Sequence, residues 1–400
     1  MMMPVNWKKN LLIAWLGSFL TGASFSLVMP FMALYVEELG VPSNQVALYA
    51  GWAVAIAAIG QGLFSPIWGR LADRYGRKLM MIRAALVMTF TMGGLAFVPN
   101  VFWLLLLRLL NGIFSGYVPN ANALIASQAP KSESGQALGS LATGVIGGSL
   151  IGPLFGGALA EWMGIRNVFL FVGALLFLVT LLTIFFVEEE VEPVTKEEQL
   201  PTLKVFQSVK DGQILIGLFI TSMIIQISAQ SVSPILPLYI RYLGYTKNLM
   251  VMSGLIVSAM SFSGMLSSSL FGRISDRVGN HRFILGSLIY SCIIYLFMAF
   301  STHVLQLAVL RFLFGFGTGA LMPSVNALLT KITPRQHIST IFSYNQMMTN
   351  FGQVIGPFVG STVASMMGYR WVFYITSVIV LVNFFLCLIN FKKYLRSREI

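Results

Sequence analysis

The chain has 400 residues, of which 56% are hydrophobic and only 10% charged, and its formal net charge is +12. An average soluble domain carries roughly 25% charged residues, so a mean hydropathy of +0.79 makes lipid the solvent for most of this chain and excludes an ordinary soluble enzyme. Cys292 and Cys387 sit in apolar runs, and His281, His303 and His337 are scattered, so neither a disulfide framework nor a metal site is expected.

A helix needs about 20 apolar residues to cross roughly 30 Å of hydrocarbon at 1.5 Å per residue. Twelve such runs follow in order: about 11–36, 45–67, 79–98, 102–127, 136–160, 166–187, 212–240, 247–271, 283–302, 304–330, 338–363 and 370–391. The first is too long for a signal-peptide core and no small-residue cleavage site follows it, so it reads as a retained helix. Threading the runs with both ends on one side places twenty Lys and Arg there, from Lys8 and Lys9 to Arg396 and Arg398, against Arg166, Arg241, Lys247 and Arg370 opposite. Cytoplasmic loops hold such an excess, so both termini are expected in the cytoplasm and the charge is a topology signal, not a nucleic-acid footprint.

The one long polar connection spans 188–211. It opens on Glu188, Glu189, Glu190 and Glu192 and closes on Leu203, Phe206 and Val209 among Lys204 and Lys210, the pattern of a helix lying on the membrane surface. The expected architecture is an all-α integral membrane protein of twelve transmembrane helices. Residues 1–187 form one six-helix bundle, 188–211 a cytoplasmic linker, and 212–400 a second, pseudo-symmetric bundle.

That symmetry is written in the residues. Met29-Pro30-Phe31 through Tyr35 recurs as Ser233-Pro234-Ile235 through Tyr239, an offset of 204. Asn122, Pro153, Arg166 and Phe169 have counterparts at the same distance in Asn326, Pro357, Arg370 and Phe373. Asp73 and Arg108 answer to Asp276 and Arg311, an offset of 203. Parallel six-helix repeats of this length are a transporter design.

Three elements stand out. Between the second and third runs lies Gly69-Arg70-Leu71-Ala72-Asp73-Arg74-Tyr75-Gly76-Arg77-Lys78, echoed from Gly272 to Arg282; glycines allow a tight turn that sets one carboxylate among cations. The fourth run carries Arg108 with Gly112, and a charge in hydrocarbon is expensive unless paired or hydrated. The fifth carries Gly144, Gly148, Gly152 and Gly156, one face without side chains, bent at Pro153.

These elements resemble the signature loop, the Arg-x-x-x-Gly element and the antiporter motif of the major facilitator superfamily. With Asn6 to Leu11, Val118 to Ala126 and Phe342 to Gln346, nearly the whole chain is similar to multidrug-efflux members of its twelve-helix drug:proton antiporter family. The resemblance implies an exporter in a bacterial cytoplasmic membrane that expels amphipathic drugs such as quinolones or dyes, exchanges them for protons, and works by alternating access. It also implies gating roles for the loop residues, for Asp276 and for Gly148, Gly152, Pro153 and Gly156, and a substrate crevice at mid-depth between the halves. Polar candidates there are Gln61, Asn122, Gln226, Gln230, Asn326, Asn345, Gln346 and Asn350; aromatic ones are Phe25, Phe31, Tyr35, Trp52, Tyr239 and Tyr344. Each residue type is equally at home in helix packing.

None of the fourteen Asp and Glu falls in the middle of a run. Glu37, at the outer end of the first, is the candidate proton carrier, with Arg108 as its tuner. With Arg108 and Arg311 the only deep charges, neutral, zwitterionic or anionic amphiphiles fit better than obligatory cations. The expected partners are such small molecules, protons and the bilayer. No nucleic acid or cofactor is expected, and the chain is expected to be a monomer. A Gly-x-x-x-x-Gly-Lys loop for ATP is missing, and no nucleophile–base spacing marks an enzyme. Two rivals stay open: a dedicated metabolite or lipid-like carrier, and a non-transporting receptor on the same scaffold.

Overall fold

The computed structural model describes residues 6–130, 133–189, 212–319, 321–333 and 338–398. The linker from 190 to 211, with the surface helix expected in it, and the side chains of Arg70, Asp73 and Asp276 lie outside the described residues. Among the described residues all regular structure is helical. The chain divides into two compact units, Met1–Thr195 with Lys247–Ser258, and Lys196–Thr246 with Ala259–Ile400.

The first unit runs α1 (Trp7–Val28), α2 (Met32–Glu38), α3 (Ser43–Tyr75), α4 (Arg77–Gly94), α5 (Val101–Phe114), α6 (Tyr117–Gln128), α7 (Ser134–Met163) and α8 (Ile165–Phe186). The second runs α9 (Gly212–Ser231), α10 (Leu236–Tyr242), α11 (Leu249–Val278), α12 (Asn280–Ala299), α13 (Val304–Thr318), α14 (Leu321–Ile332), α15 (Ile338–Met367) and α16 (Tyr369–Arg398). The first turns of α11 belong to the first unit.

Among the described residues, eleven helical stretches are long and apolar enough to span a membrane, so this is a multi-pass membrane protein. The remaining expected span, 338–363, forms as α15, a helix of 30 residues. Its Asn345, Gln346, Asn350 and Gln353 lower its apolarity without adding a charge.

Local chemistry sets the boundaries. Asn6 and Asn100 cap α1 and α5 by accepting from the backbone N–H of Lys9 and Trp103. Pro30, without an N–H, sits in the 3₁₀ turn that parts α1 from α2, and Pro234 does the same 204 residues on. The fourth predicted span is two helices, because Ser115 is extended and Gly116 has φ 127°. The predicted loop at 69–78 is mostly helix: α3 runs on to Tyr75, and only Gly76, at φ 93°, turns the chain into α4. Leu71 and Ala72 favour helix, and positive φ at the turn is where glycine is needed.

In the first unit α1 packs on α7 and α8, and α4 packs on α8. In the second, α9 packs on α15 and α16, and α12 on α16. One aromatic anchor recurs in both. The Tyr35 hydroxyl donates to the Leu95 carbonyl and its ring lies 4.8 Å from that of Phe169. Tyr239 donates to the Met298 carbonyl at 3.0 Å, with its ring 4.9 Å from Phe373. An offset read from letters is therefore a repeat in packing.

Candidate functional site

Glycine seams join helices that carry candidate side chains. Along α7, a Cβ on Gly144, Gly148, Gly152 or Gly156 would overlap backbone of Trp15, Phe19, Ala23 or Leu27, every fourth residue of α1. In the second unit Gly352, Gly356 and Gly360 of α15 meet Met223, Ile227 and Ser231 of α9 in the same way. Such backbone-to-backbone approach is how helices gain dispersion energy where lipid gives no hydrophobic drive. Pro153 lies in α7, and a Cβ on Gly254, at the start of α11, would overlap its carbonyl. On the same flank Glu161 accepts from the Met250 N–H at 3.0 Å, and Ser258 donates to the Leu150 carbonyl at 3.0 Å.

Arg108 is 1% exposed. Its Nε donates to the Ala53 carbonyl at 2.8 Å and its guanidinium lies 5.6 Å from the Phe25 ring centre, while Nη2 has no hydrogen-bond partner. Gly112, one turn on, lets α5 press against Ala57. Glu37 is half-buried in α2; the contacts described for Arg108 are the carbonyl and the ring, both neutral.

Arg311, 3% exposed, occupies the matching place in α13 with a different partner: Nη1 donates to the Met260 thioether at 3.4 Å and Nε is unpartnered. A cavity of about 80 Å³ lined by Ser228, Met260, Ser291, Phe314 and Thr318 lies in the same unit. The three hydroxyls all donate to carbonyls of their own helices, so they offer the cavity only lone pairs.

The substrate candidates separate by burial. Phe31, Tyr35 and Tyr239 are fully buried within their own units, whereas Phe25, Asn122 and Gln346 are exposed. Gln61, also exposed, lines a cavity of about 180 Å³ with Ser65, Trp68, Arg77, Ser115 and Asn120. In the second unit Asn345 donates to Asn326 at 3.1 Å and Gln346 to Asn350 at 3.0 Å. The stems of Gln226 and Gln230 abut Gly352 and Gly356, and Tyr344 is half-buried on α15. These residues thus share the α9–α15 seam and its neighbour α14.

At the signature turn Gly69 and Arg74 are exposed, Gly76 is buried, and Arg74 stacks on Tyr75 at 5.2 Å. Sequence reasoning missed Arg83. Its guanidinium lies 3.5 Å from the Trp68 ring centre, and Nη2 donates to the carbonyls of Phe114 and Ser115 at the α5–α6 break. An arginine one turn inside an apolar run was the available signal.

Duplicated helical units with a buried arginine in each define a polytopic transporter. The chain belongs to the Major Facilitator Superfamily, whose family model matches residues 14–266 and again 218–399; it is a transporter and not an enzyme. It is 58% identical to the multi-drug resistance efflux pump PmrA of Streptococcus pneumoniae serotype 4, over 100% of both chains. It is 45% identical to the multidrug resistance protein MdtG of Dickeya zeae, over 98% of this chain and 96% of that one. Among solved structures, a bacterial homolog of the human lysosomal transporter Spinster, inward-facing and occupied, superposes with a TM-score of 0.82 at 15% identity over 99% of each chain. The nucleoside transporter NupG gives 0.79 at 15% identity, covering 97% of this chain and 99% of that one.

Proposed function

We propose that this transporter is a multidrug efflux pump of a bacterial cytoplasmic membrane, with both termini in the cytoplasm. It expels amphipathic molecules by alternating access between the 1–187 and 212–400 bundles, in exchange for protons. The observation that carries this reading is identity of 58% along the full length of an efflux pump, supported by the α7–α1 glycine seam with its proline. The energetics suffice: moving one charge is worth about 2.3 kcal/mol per 100 mV. About 150 mV therefore supports a drug gradient of roughly 10²–10³ per proton.

Arg108 carries a buried positive charge on neutral partners, so the site favours neutral, zwitterionic or anionic amphiphiles over obligatory cations. Glu37 is the proton carrier in this reading, Arg108 its tuner, and the amide cluster of the second unit contributes substrate contacts. The test is a drug-susceptibility panel in cells with and without the gene, repeated with a protonophore, alongside dye uptake into inverted vesicles. Resistance to several unrelated compounds that collapses with the proton gradient supports the proposal. Transport of a single metabolite selects the dedicated-carrier alternative, and Glu37→Gln vesicles with undiminished coupling remove Glu37 from the mechanism.

A further inference from the structure

Helix α4 begins without a cap of its own. The residue before it is Gly76, which has no side chain to offer, and no cap from that position is made. The first N–H groups of a helix need acceptors from elsewhere. Here a carboxylate from 111 and 112 residues further along the chain supplies them: Glu189 accepts from the Lys78 N–H at 2.6 Å through Oε2 and from the Arg77 N–H at 2.9 Å through Oε1. A two-oxygen, charge-assisted arrangement at a helix N-terminus is strong, because the acceptor is ionised and the helix dipole points at it.

The neighbouring residue explains why Glu189 arrives there. Glu188 bonds Lys9 at 2.8 Å through its side chain. Its backbone N–H donates to Asn10 Oδ1 at 2.9 Å, and its carbonyl accepts from Asn10 Nδ2 at 2.6 Å and from Gln128 Nε2 at 3.0 Å. Asn10 is itself fully buried and also donates to Gln128 at 2.8 Å. Two consecutive glutamates after α8 therefore join the start of α1, the end of α6 and the start of α4.

The second half shares the seams, the aromatic anchor and the glycine turns, but its sequence does not repeat the residues of this device. Residues 204 further on from Asn10, Glu188 and Glu189 are Ile214, Lys392 and Lys393, and a lysine has no acceptor with which to cap a helix. The clasp belongs to the half whose signature turn is complete.

We propose that Glu189 is a positioning residue for the signature turn: its carboxylate is the N-cap of α4 and holds Gly76 to Lys78 against the end of α8. Its consequence for turnover rests on the transport reading above. Its structural claim does not.

The test compares the wild-type protein with Glu189→Ala, Glu189→Gln and, as a charge control from the same acidic segment, Glu198→Gln. Hydrogen exchange of the first-turn amides of α4 is read by mass spectrometry in detergent. Loss of a cap should speed exchange at Arg77 and Lys78 about fivefold in Glu189→Ala. Glu189→Gln, which keeps one neutral acceptor oxygen, should fall between, and Glu198→Gln should match wild type. In dye uptake by inverted vesicles Glu189→Ala should lower turnover severalfold with KM for the dye within about twofold, the split expected when positioning and not binding is lost. Unchanged exchange in Glu189→Ala, or equal acceleration in Glu198→Gln, overturns the proposal. Vesicles in which the wild-type protein moves no dye overturn the efflux reading instead and leave the exchange result to decide the cap.

Discussion

A guanidinium with 1% exposure must be held by its surroundings or hydrated from within, and Arg108 is held by one carbonyl and one aromatic face. Neither neutralises it. A fold that only needed volume there would do as well with an apolar side chain, because a buried charge seldom adds net stability. Arg108→Met should therefore leave the thermal midpoint in detergent unchanged or raised, while efflux falls by about tenfold or more. Arg108→Lys should not rescue it, since an ammonium lacks the planar fork that meets Ala53 and Phe25 together. A midpoint lowered as much as transport would make Arg108 a structural residue. Glu188 offers a milder test on the water side. Lys9, by its hydrogen bond and its charge, holds the Glu188 carboxyl below its usual range. A lowered folded pKa contributes stability that is present above the unfolded value of about 4.3 and lost as pH falls through the lowered one. The stability difference between wild type and Lys9→Gln should be measurable at pH 7 and vanish on acidification below the carboxylate range; a difference that persists there would falsify the pairing.

At the scale of elements, the glycines separate into two kinds that composition cannot distinguish. Gly148 and Gly156 have α1 backbone where a Cβ would go, whereas Gly62, within α3, has nothing within 4 Å. Gly148→Ala and Gly156→Ala should each force α7 off α1 and destabilise by about 1–3 kcal/mol, the range for overpacking. Gly62→Ala should stabilise by about 0.5–1 kcal/mol through helix propensity. Thermal melts of the three variants check both signs, and equal effects would mean the seam is not tight. The seam was legible because spacing by four is a property of one helix alone. The clasp at Glu188 and Glu189 was not, because a run of glutamates after a span carries the same letters whether it is solvated or capping a helix far away in sequence. The break at Ser115 and Gly116 falls between. Glycine and proline were visible there, yet one apolar run covered two helices.

The whole molecule is a duplication, and its helix count, order and repeat could be read from letters because lipid demands long uniform apolar runs. The same uniformity hid the site: in helices apolar on most faces, hydropathy does not say which residue turns inward. Phe31, Tyr35 and Tyr239 look like cavity aromatics in sequence, and they are fully buried packing anchors in the structure. That repeated anchor tests whether the units are energetically independent. Tyr35→Phe removes the hydroxyl that donates to the Leu95 carbonyl, and Tyr239→Phe removes the one that donates to the Met298 carbonyl, which keeps the Ser301 hydroxyl as a second donor. Each should cost about 1 kcal/mol in equilibrium unfolding in mixed SDS micelles. The two anchors lie in different compact units, so the double variant should lose the sum to within about 0.5 kcal/mol, as separated sites do. A double variant that departs from the sum by more than about 1 kcal/mol in either direction would show that the repeats fold as one cooperative body, and the Tyr35 and Tyr239 anchors would then have to be treated as a single coupled element.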